Sequence, residues 1–351
     1  DGSCTGITYL RLDIHDMQQG LTFDENILAF YGASAPTCWN EIALIDTNVT
    51  AIFFTGSSGG GGVYAAARRF SVMGCTFDNN LGGEHCFRSQ MMEKGVIQHS
   101  LFKRAALNKN NLTIRAPTFA GIGVAIPAGS YTEKVVVSDN KFEGNTNVWT
   151  TDSGPQNGIE DERVRDCVWE RNWWTAGSGT TLCLRLEATQ RVTLRNNLFD
   201  VSAAGEKASV RIQFINTAGV PVPDDNRVYN NTFFSSTADA DFVAVDIDTE
   251  PTNTKIKNNL GYAPNDSAHI LLQGAGGGGQ DASNNSSTAQ VGATSPGFVS
   301  GTPVNPADFQ ITVGSYAIGA GADGLKVFED FFGNIRDWST PDADIGFYAY
   351  T

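Results

Sequence analysis

Val192-Thr193-Leu194-Arg195-Asn196-Asn197-Leu198-Phe199 is the stretch on which the fold turns: a short β-branched run, a polar step, Asn, and an aromatic two positions later. The phrase recurs as Val135-Val136-Val137-Ser138-Asp139-Asn140-Lys141-Phe142, as Val168-Trp169-Glu170-Arg171-Asn172-Trp173-Trp174 and as Val228-Tyr229-Asn230-Asn231-Thr232-Phe233. Ile256-Lys257-Asn258-Asn259-Leu260 is a shorter copy. Val72-Met73-Gly74-Cys75-Thr76-Phe77 and Val96-Ile97-Gln98-His99-Ser100-Leu101-Phe102 keep the frame without the Asn. With positions 75, 100, 140, 172, 197, 231 and 259 as markers, the intervals are 25, 40, 32, 25, 34 and 28 residues. A period near 25 with insertions is the arithmetic of a solenoid. Asn tolerates the left-handed backbone of a tight corner, so each copy reads as a strand, a corner and a second strand. Stacked coils then align the Asn residues as a ladder and the aromatics as an inner stack, about 4.8 Å apart. The expected fold is all-β, a parallel β-helix with loop insertions. A β-sandwich is the main rival, but it does not require Asn at a repeated corner.

Composition supports this reading. The chain has 351 residues, 38 Gly, 21 Phe and only 18% charged residues, which disfavours a helical bundle with its charged outer faces. A hydrophobic content of 41% disfavours disorder. The net charge of −14 argues against general nucleic-acid binding, which needs a basic face. No apolar run reaches the length of a membrane span. Asp1-Gly2-Ser3-Cys4 lacks the basic and apolar regions of a signal peptide and reads as the start of a mature or trimmed chain. An acidic, Asn- and Thr-rich chain low in Lys suggests a secreted or cell-surface protein. Cys4, Cys38, Cys75, Cys86, Cys167 and Cys183 leave disulfides and buried core thiols both open.

The repeated corners resemble those of right-handed parallel β-helix proteins of the pectate-lyase-like superfamily. Asp308-Phe309-Gln310-Ile311, Ser315-Tyr316-Ala317-Ile318-Gly319 and Asp330-Phe331-Phe332-Gly333-Asn334 resemble the C-terminal ending of such proteins. The resemblance covers about residues 70–350 and implies one domain over 1–351, with less regular coils in 1–70 and a closing segment in 290–351. Gly-rich tracts at 57–62 and 274–279 read as loops. The superfamily holds lyases, hydrolases, tailspikes and adhesins, so fold alone does not select a function.

Alternation places a second set of residues on an outer face. In Leu182-Cys183-Leu184-Arg185-Leu186 and Val210-Arg211-Ile212 the aliphatics point one way and Arg the other. Arg88, Glu160 and Arg185 each stand twelve residues before a ladder position. With Arg115, Arg211 and Asp246 they are expected to form one outward column, one residue per coil. Such a column reads either as a groove for an anionic polysaccharide, since Arg grips carboxylates bidentately, or as a ladder of ion pairs worth roughly 0.2–1 kcal/mol each.

The densest cluster is Glu84, His85 and Arg88, followed by His99, Lys109 and Arg115. His85, with the parity of Phe87, is expected to face inward, while His99 precedes a corner. Cleavage of a polyuronate by β-elimination needs a cation at the carboxylate, a base for the α-proton and an acid for the leaving oxygen. Arg88 and Arg115 suit the first task and Lys109 or His99 the second, with His85 in support. Glu84, Glu160, Arg185 and Arg211 are candidate substrate-binding residues. The segment is similar to the alginate-lyase and chondroitinase-B group, in which a Lys-Ser supplies the base and an Arg-His the acid, often with Ca²⁺ nearby. The matching positions here are Arg88-Ser89 and Arg115-Ala116, so Arg replaces the basic Lys and Ala replaces the His.

Two alternatives stand beside the lyase. Asp246 and Asp248, two apart on a strand, are spaced as the carboxylates of a glycoside hydrolase or as ligands of Ca²⁺. A structural rod, adhesin or glycan-binding surface protein, oligomeric or filamentous, needs no active site at all. Trp149, Trp169 and Trp173 are candidate sugar-stacking surfaces, and Trp174 reads as an inward corner residue.

Overall fold

The computed structural model describes residues 6–15, 21–23, 41–50, 62–66, 69–78, 85–105, 110–114, 131–144, 147–149, 164–177, 182–202, 208–214, 221–237, 243–265, 270–274, 277–286, 295–321, 327–336 and 344–350. Every strand pair is parallel and joins one coil to the next. Nine coils give one strand to each of three walls, a tenth adds a strand to the first wall alone, and Thr132–Glu133, Val164–Arg165 and Thr189–Gln190 pair as a short fourth sheet. Sheet 1 has ten strands from Ile7–Leu10 to Asp281–Ser283, and sheet 2 has nine from Asp13–His15 to Leu260–Tyr262. Sheet 3 has nine, from Leu21–Phe23 to Ile270–Gln273. The chain is a right-handed parallel β-helix, the hand that parallel crossovers take. The repeat begins at Ile7, well before the region where it is legible in the sequence.

The corner that follows each of the ten strands of sheet 1 obeys one rule. Its first residue is left-handed: Arg11, Asp46, Gly74, His99, Asp139, Arg171, Asn196, Asn230, Asn258 and Asn284, with φ between 48° and 66°. The ladder residue comes next, so the left-handed position lies one residue earlier than the sequence suggested. The ladder Asn is instead turned inward, where its amide completes the preceding corner. Asn197 Oδ1 accepts from Asn172 N at 3.0 Å and Asn172 Nδ2 at 3.1 Å, while its own Nδ2 donates to Trp169 O at 2.9 Å. Asn140, Asn172, Asn231, Asn259 and Asn285 repeat the pattern. A buried corner leaves one N–H and one C=O without strand partners, and a carboxamide supplies both complements. The Asn-Asn doublets thus divide two tasks, the first turning the chain and the second closing the coil beneath.

Inside, Phe77, Phe102, Phe142, Trp174, Phe199 and Phe233 stack with centroids 4.8, 5.2, 4.9, 4.4 and 4.9 Å apart. Each offset pair contributes about 0.5–1.5 kcal/mol beyond its buried area. Cys75 and Cys167 are buried free thiols and Cys86 and Cys183 are buried as well, whereas Cys4 and Cys38 lie outside the described residues. Burial pushes the Cys167 thiol up to about 12. Part of the second glycine tract is built into a corner rather than hung as a loop: a Cβ on Gly274, at φ +84°, would stand 1.9 Å from Ile247 O. The first tract, apart from Gly62, lies outside the described residues.

Residues of the C-terminal segment pack on the outer face of sheet 2. Phe309 and Phe347 cluster with Leu198 and Phe234, and Ile311 and Ile345 with Leu260. The first Asn of two doublets reaches out to this segment, Asn196 to Glu329 O and Asn230 to Asp344 O. Buried Arg336 returns the contact, donating to Asn196 Oδ1 and Gly346 O. Sheet 2 is therefore covered in its last coils, leaving sheet 3 as the wall on which the candidate residues meet. No helix among the described residues is long and apolar enough to cross a membrane.

Candidate functional site on the outer face of sheet 3

Strand register defines the outward column. Tyr64, Arg88, Thr113, Trp149, Arg185, Arg211, Asp246 and Gln273 occupy equivalent positions in successive coils. The expected residues Arg88, Arg185, Arg211 and Asp246 do share one column. Thr113 and Trp149 hold the positions for which Arg115 and Glu160 were expected. Arg115 and Glu160, with Glu84 and Lys109, lie outside the described residues.

In the later coils the column is a ladder of ion pairs. Arg185 bonds Glu187, which is buried, at 2.7 Å, and Arg211 bonds Asp246 at 2.7 Å through Nε. The same device runs over the other corners and walls. Arg165 pairs with Glu133, Arg171 with Asp139, Arg191 with Asp166 and Arg195 with Glu170, each one coil back. Pairing arginines with carboxylates in this way lets an acidic protein stack charge on charge.

Asp246 and Asp248 do not fit a calcium site. Asp246 is committed to Arg211, and Asp248 accepts Phe214 N at 3.2 Å. Burial, reinforced by the charge of Asp246, raises the Asp248 carboxyl above its ordinary range. No group of three or more His, Cys, Asp or Glu among the described residues stands where a metal could be held. A hard cation needs more oxygen ligands than this pair supplies.

The earlier coils are built differently. The alternation of side chains restarts at the entry to sheet 3, because Cys86 and Phe87 both join the core. Asn111 and Leu112 repeat this one coil later, where the register shifts between Asn110 and Leu112. His85 and Asn110, each just before one of these kinks, are both buried. Asn110 N donates to His85 Nδ1 at 3.2 Å, and Asn110 Nδ2 donates to Thr113 Oγ1 at 2.9 Å. Thr113 in turn stands beside Arg88 in register. With Nδ1 accepting, a neutral His85 ring carries its proton on Nε2 and acts as a donor, not as a base. His85, Asn110 and Thr113 are all buried, at 5%, 2% and 0% exposure. An amide end left bare in such a place costs about 1–3 kcal/mol.

Other candidates are placed elsewhere. His99 is the left-handed corner residue between sheets 1 and 2, exposed at φ +51°, and is not brought to Arg88. Trp169 and Trp174 are fully buried in the core. Trp173 is half-buried, with the Lys141 ammonium 4.3 Å from its ring centroid. Sequence reasoning passed over Asn110 and Thr113. Their signal is a polar Asn-Asn-x-Thr run, 110–113, lacking the aromatic that follows a corner Asn.

The fold and this wall define a parallel β-helix protein with a neutral polar niche at one end of a charged column. No protein-family model matches the chain, and no curated protein matches its sequence. Among solved structures, the crystal structure of pectate lyase Pel9A is similar over 98% of this chain and 97% of that chain, at 12% identity and a TM-score of 0.32. The fold assignment stands on strand pairing and the Asn ladder, not on that likeness.

Proposed function

We propose that this chain is a carbohydrate-active β-helix protein, a polysaccharide lyase that cleaves a uronic-acid-containing glycan by β-elimination on the outer face of sheet 3. The supporting observation is the register that sets Arg88 beside Thr113, within the hydrogen-bonded niche of His85 and Asn110. Arg88 neutralises the uronate carboxylate and so acidifies the proton at C5. Lys109, next in sequence to Asn110, removes that proton, and the electron pair forms the C4–C5 double bond as the C4–O bond breaks. The leaving oxygen takes its proton from water, with His85 Nε2–H as a hydrogen-bond donor to it, and Arg115 is a second cation for the carboxylate. Glu84 and Glu160 serve as binding residues, Arg185 and Arg211 as more distant subsites. A secreted or cell-surface location follows from a polymeric anionic substrate.

The test is absorbance from a new unsaturated uronide on alginate, pectate and glycosaminoglycans. A signal on one of them that falls at least about a hundredfold in Arg88→Ala supports the lyase. No signal on any overturns it. One observation favours a second reading: Asp248, with its raised carboxyl, stands two residues from the Arg211-bound Asp246, which suits an acid and a base of a glycoside hydrolase. Release of reducing ends without that absorbance selects the hydrolase. Absence of both activities, with end-to-end self-assembly, selects a structural rod.

A further inference from the structure

We infer that His85 is a positioning residue whose neutral ring holds the Arg88–Thr113 register and releases it on acidification; this rests on the lyase reading and names the regulation of its site. The entry of the strand Asn110–Ile114 is irregular, since its register with the following coil shifts between Asn110 and Leu112. There the backbone N–H of Asn110 donates not to a carbonyl but to a ring nitrogen, His85 Nδ1, at 3.2 Å. The return bond is ordinary, from Cys86 N to Asn110 O at 3.1 Å. The backbone oxygen of His85 accepts from Gly62 N at 2.8 Å, so this residue is tied to the coil before it by its main chain and to the coil after it by its ring. Asn110 passes the constraint on: its Nδ2 donates to Thr113 Oγ1 at 2.9 Å, and Thr113 pairs with Arg88 in register.

Elsewhere the solenoid gives a buried main-chain N–H a carboxamide, which no change of pH alters: Asn197 Oδ1 accepts from Asn172 N at 3.0 Å, and Asn111 Oδ1 from Ala105 N at 2.9 Å. A ring nitrogen fills that place only while it carries no proton. Protonation makes both nitrogens donors and sets two N–H groups against each other. The His85 ring and Asn110 are 5% and 2% exposed, so water does not replace the lost acceptor and the Asn110 N–H is stranded. The charged residues on nearby elements are Arg88, on the same run of chain, and Lys103 and Arg104, beside the carbonyl that accepts from Cys86 Sγ. Both of the latter pair with Asp78. Tyr64 stands in register with Arg88 on the preceding coil, and Glu84 and Lys109 lie outside the described residues. The bond is therefore present at neutral pH and lost as pH falls below the ordinary histidine range, near 6.5. With it goes the anchor of Thr113 beside Arg88.

The experiment measures amide hydrogen exchange, ¹⁵N spectra of the histidine rings and polyuronate cleavage from about pH 7.5 to about pH 5 on the wild type, His85→Asn and His85→Ala. In the wild type, protection of Asn110–Ile114, corrected for intrinsic exchange, is expected to fall at least about tenfold, while Leu182–Glu187 keeps its protection. The His85 ring, with Nδ1 bare at the upper pH, gains its second proton over the same range, and kcat/KM falls with it. His85→Asn places a non-titrating Oδ1 where Nδ1 stood. It is expected to keep the protection at both ends and to flatten the acid limb of kcat/KM, whatever its absolute rate. His85→Ala is poorly protected throughout. Wild-type protection that does not change overturns the inference, as does an equal fall in His85→Asn or a ring already protonated at Nδ1 at the upper pH. If neither variant folds, the wild type decides: protection lost together with Nδ1 protonation supports the inference, and protection that survives it overturns it. Failure of the lyase reading looks different, because the wild type then cleaves no polyuronate at any pH while exchange and ring spectra still report on His85.

Discussion

The outer face of sheet 3 carries two kinds of chemistry on one backbone register. Across Leu182–Glu187, Ala208–Gln213 and Val243–Ile247, arginines meet carboxylates at 2.7 Å. Across Phe87–Met91 and Asn110–Ile114, neutral groups hydrogen-bond one another in a buried niche around an amide with one bare end. The first arrangement stacks coils and satisfies its own charges. The second pairs neutral groups with one another across two coils. A solenoid repeats its backbone, so a departure in side-chain chemistry from the neighbouring coils marks function more clearly than the presence of charge does.

The sharpest break of this contrast is catalytic. Arg88→Ala is expected to lower turnover of the responsive polyuronate about 10²–10³-fold, whereas Arg211→Ala changes it less than about threefold. Equal losses would erase the distinction between niche and ladder. Next in size is the stability of the two regions. Asn197→Ala removes four buried hydrogen bonds and strands their partners, and is expected to cost about 3 kcal/mol or more in urea unfolding. Ser100→Ala, at the same ladder position in an earlier coil, loses the acceptor for Cys75 N and a bond to Gln98 O, and should cost about 1–2 kcal/mol.

Acid titration gives smaller effects. Hydrogen bonding to Arg191, ahead of other causes, lowers the Asp166 carboxyl below its ordinary value. Its folded-state pKa thus lies below the unfolded one. Its contribution is present above the unfolded value, near 4, and is lost as pH falls through the folded one. Asp166→Asn should reduce the acid sensitivity of unfolding below about pH 4 and cost no more than about 1 kcal/mol at pH 7, since the pair is exposed. Asp248 has the opposite sign. Burial raises its pKa, so it favours the folded state at low pH and opposes it as pH rises through the raised value. Asp248→Asn is expected to raise the thermal midpoint slightly at pH 7 and to change nothing at acid pH, measured by calorimetry.

The corner phrase made most of the fold readable before any coordinates. The ladder spacings reappear as hydrogen bonds between residues 25, 40, 32, 25, 34 and 28 apart. Phe and Trp two positions after ladder residues 75, 100, 140, 172, 197 and 231 form the inner stack. The left-handed residue was placed one position late because Asn suits both roles, and the doublets Asn196-Asn197 and Asn230-Asn231 do not reveal which member turns. The candidate site was legible only in part. Arg88, Arg185, Arg211 and Asp246 fell into one column because alternation within a strand is local. His99 was grouped with Arg88 because nearness in sequence does not tell which wall a residue occupies.

What the sequence by itself determined is the coil: short strands, a turning residue, an inward amide and an aromatic, each fixed by interactions within a few residues. Only the tertiary structure decided which charges face each other. Insertions of variable length separate the coils, so the partner of Arg211 is Asp246, 35 residues on, and the partner of Arg171 is Asp139, 32 residues back. The same variability hid the niche, because the bond from Asn110 to His85 spans 25 residues and a kink. Stacking, about 4.8 Å per coil, turns those distant positions into neighbours.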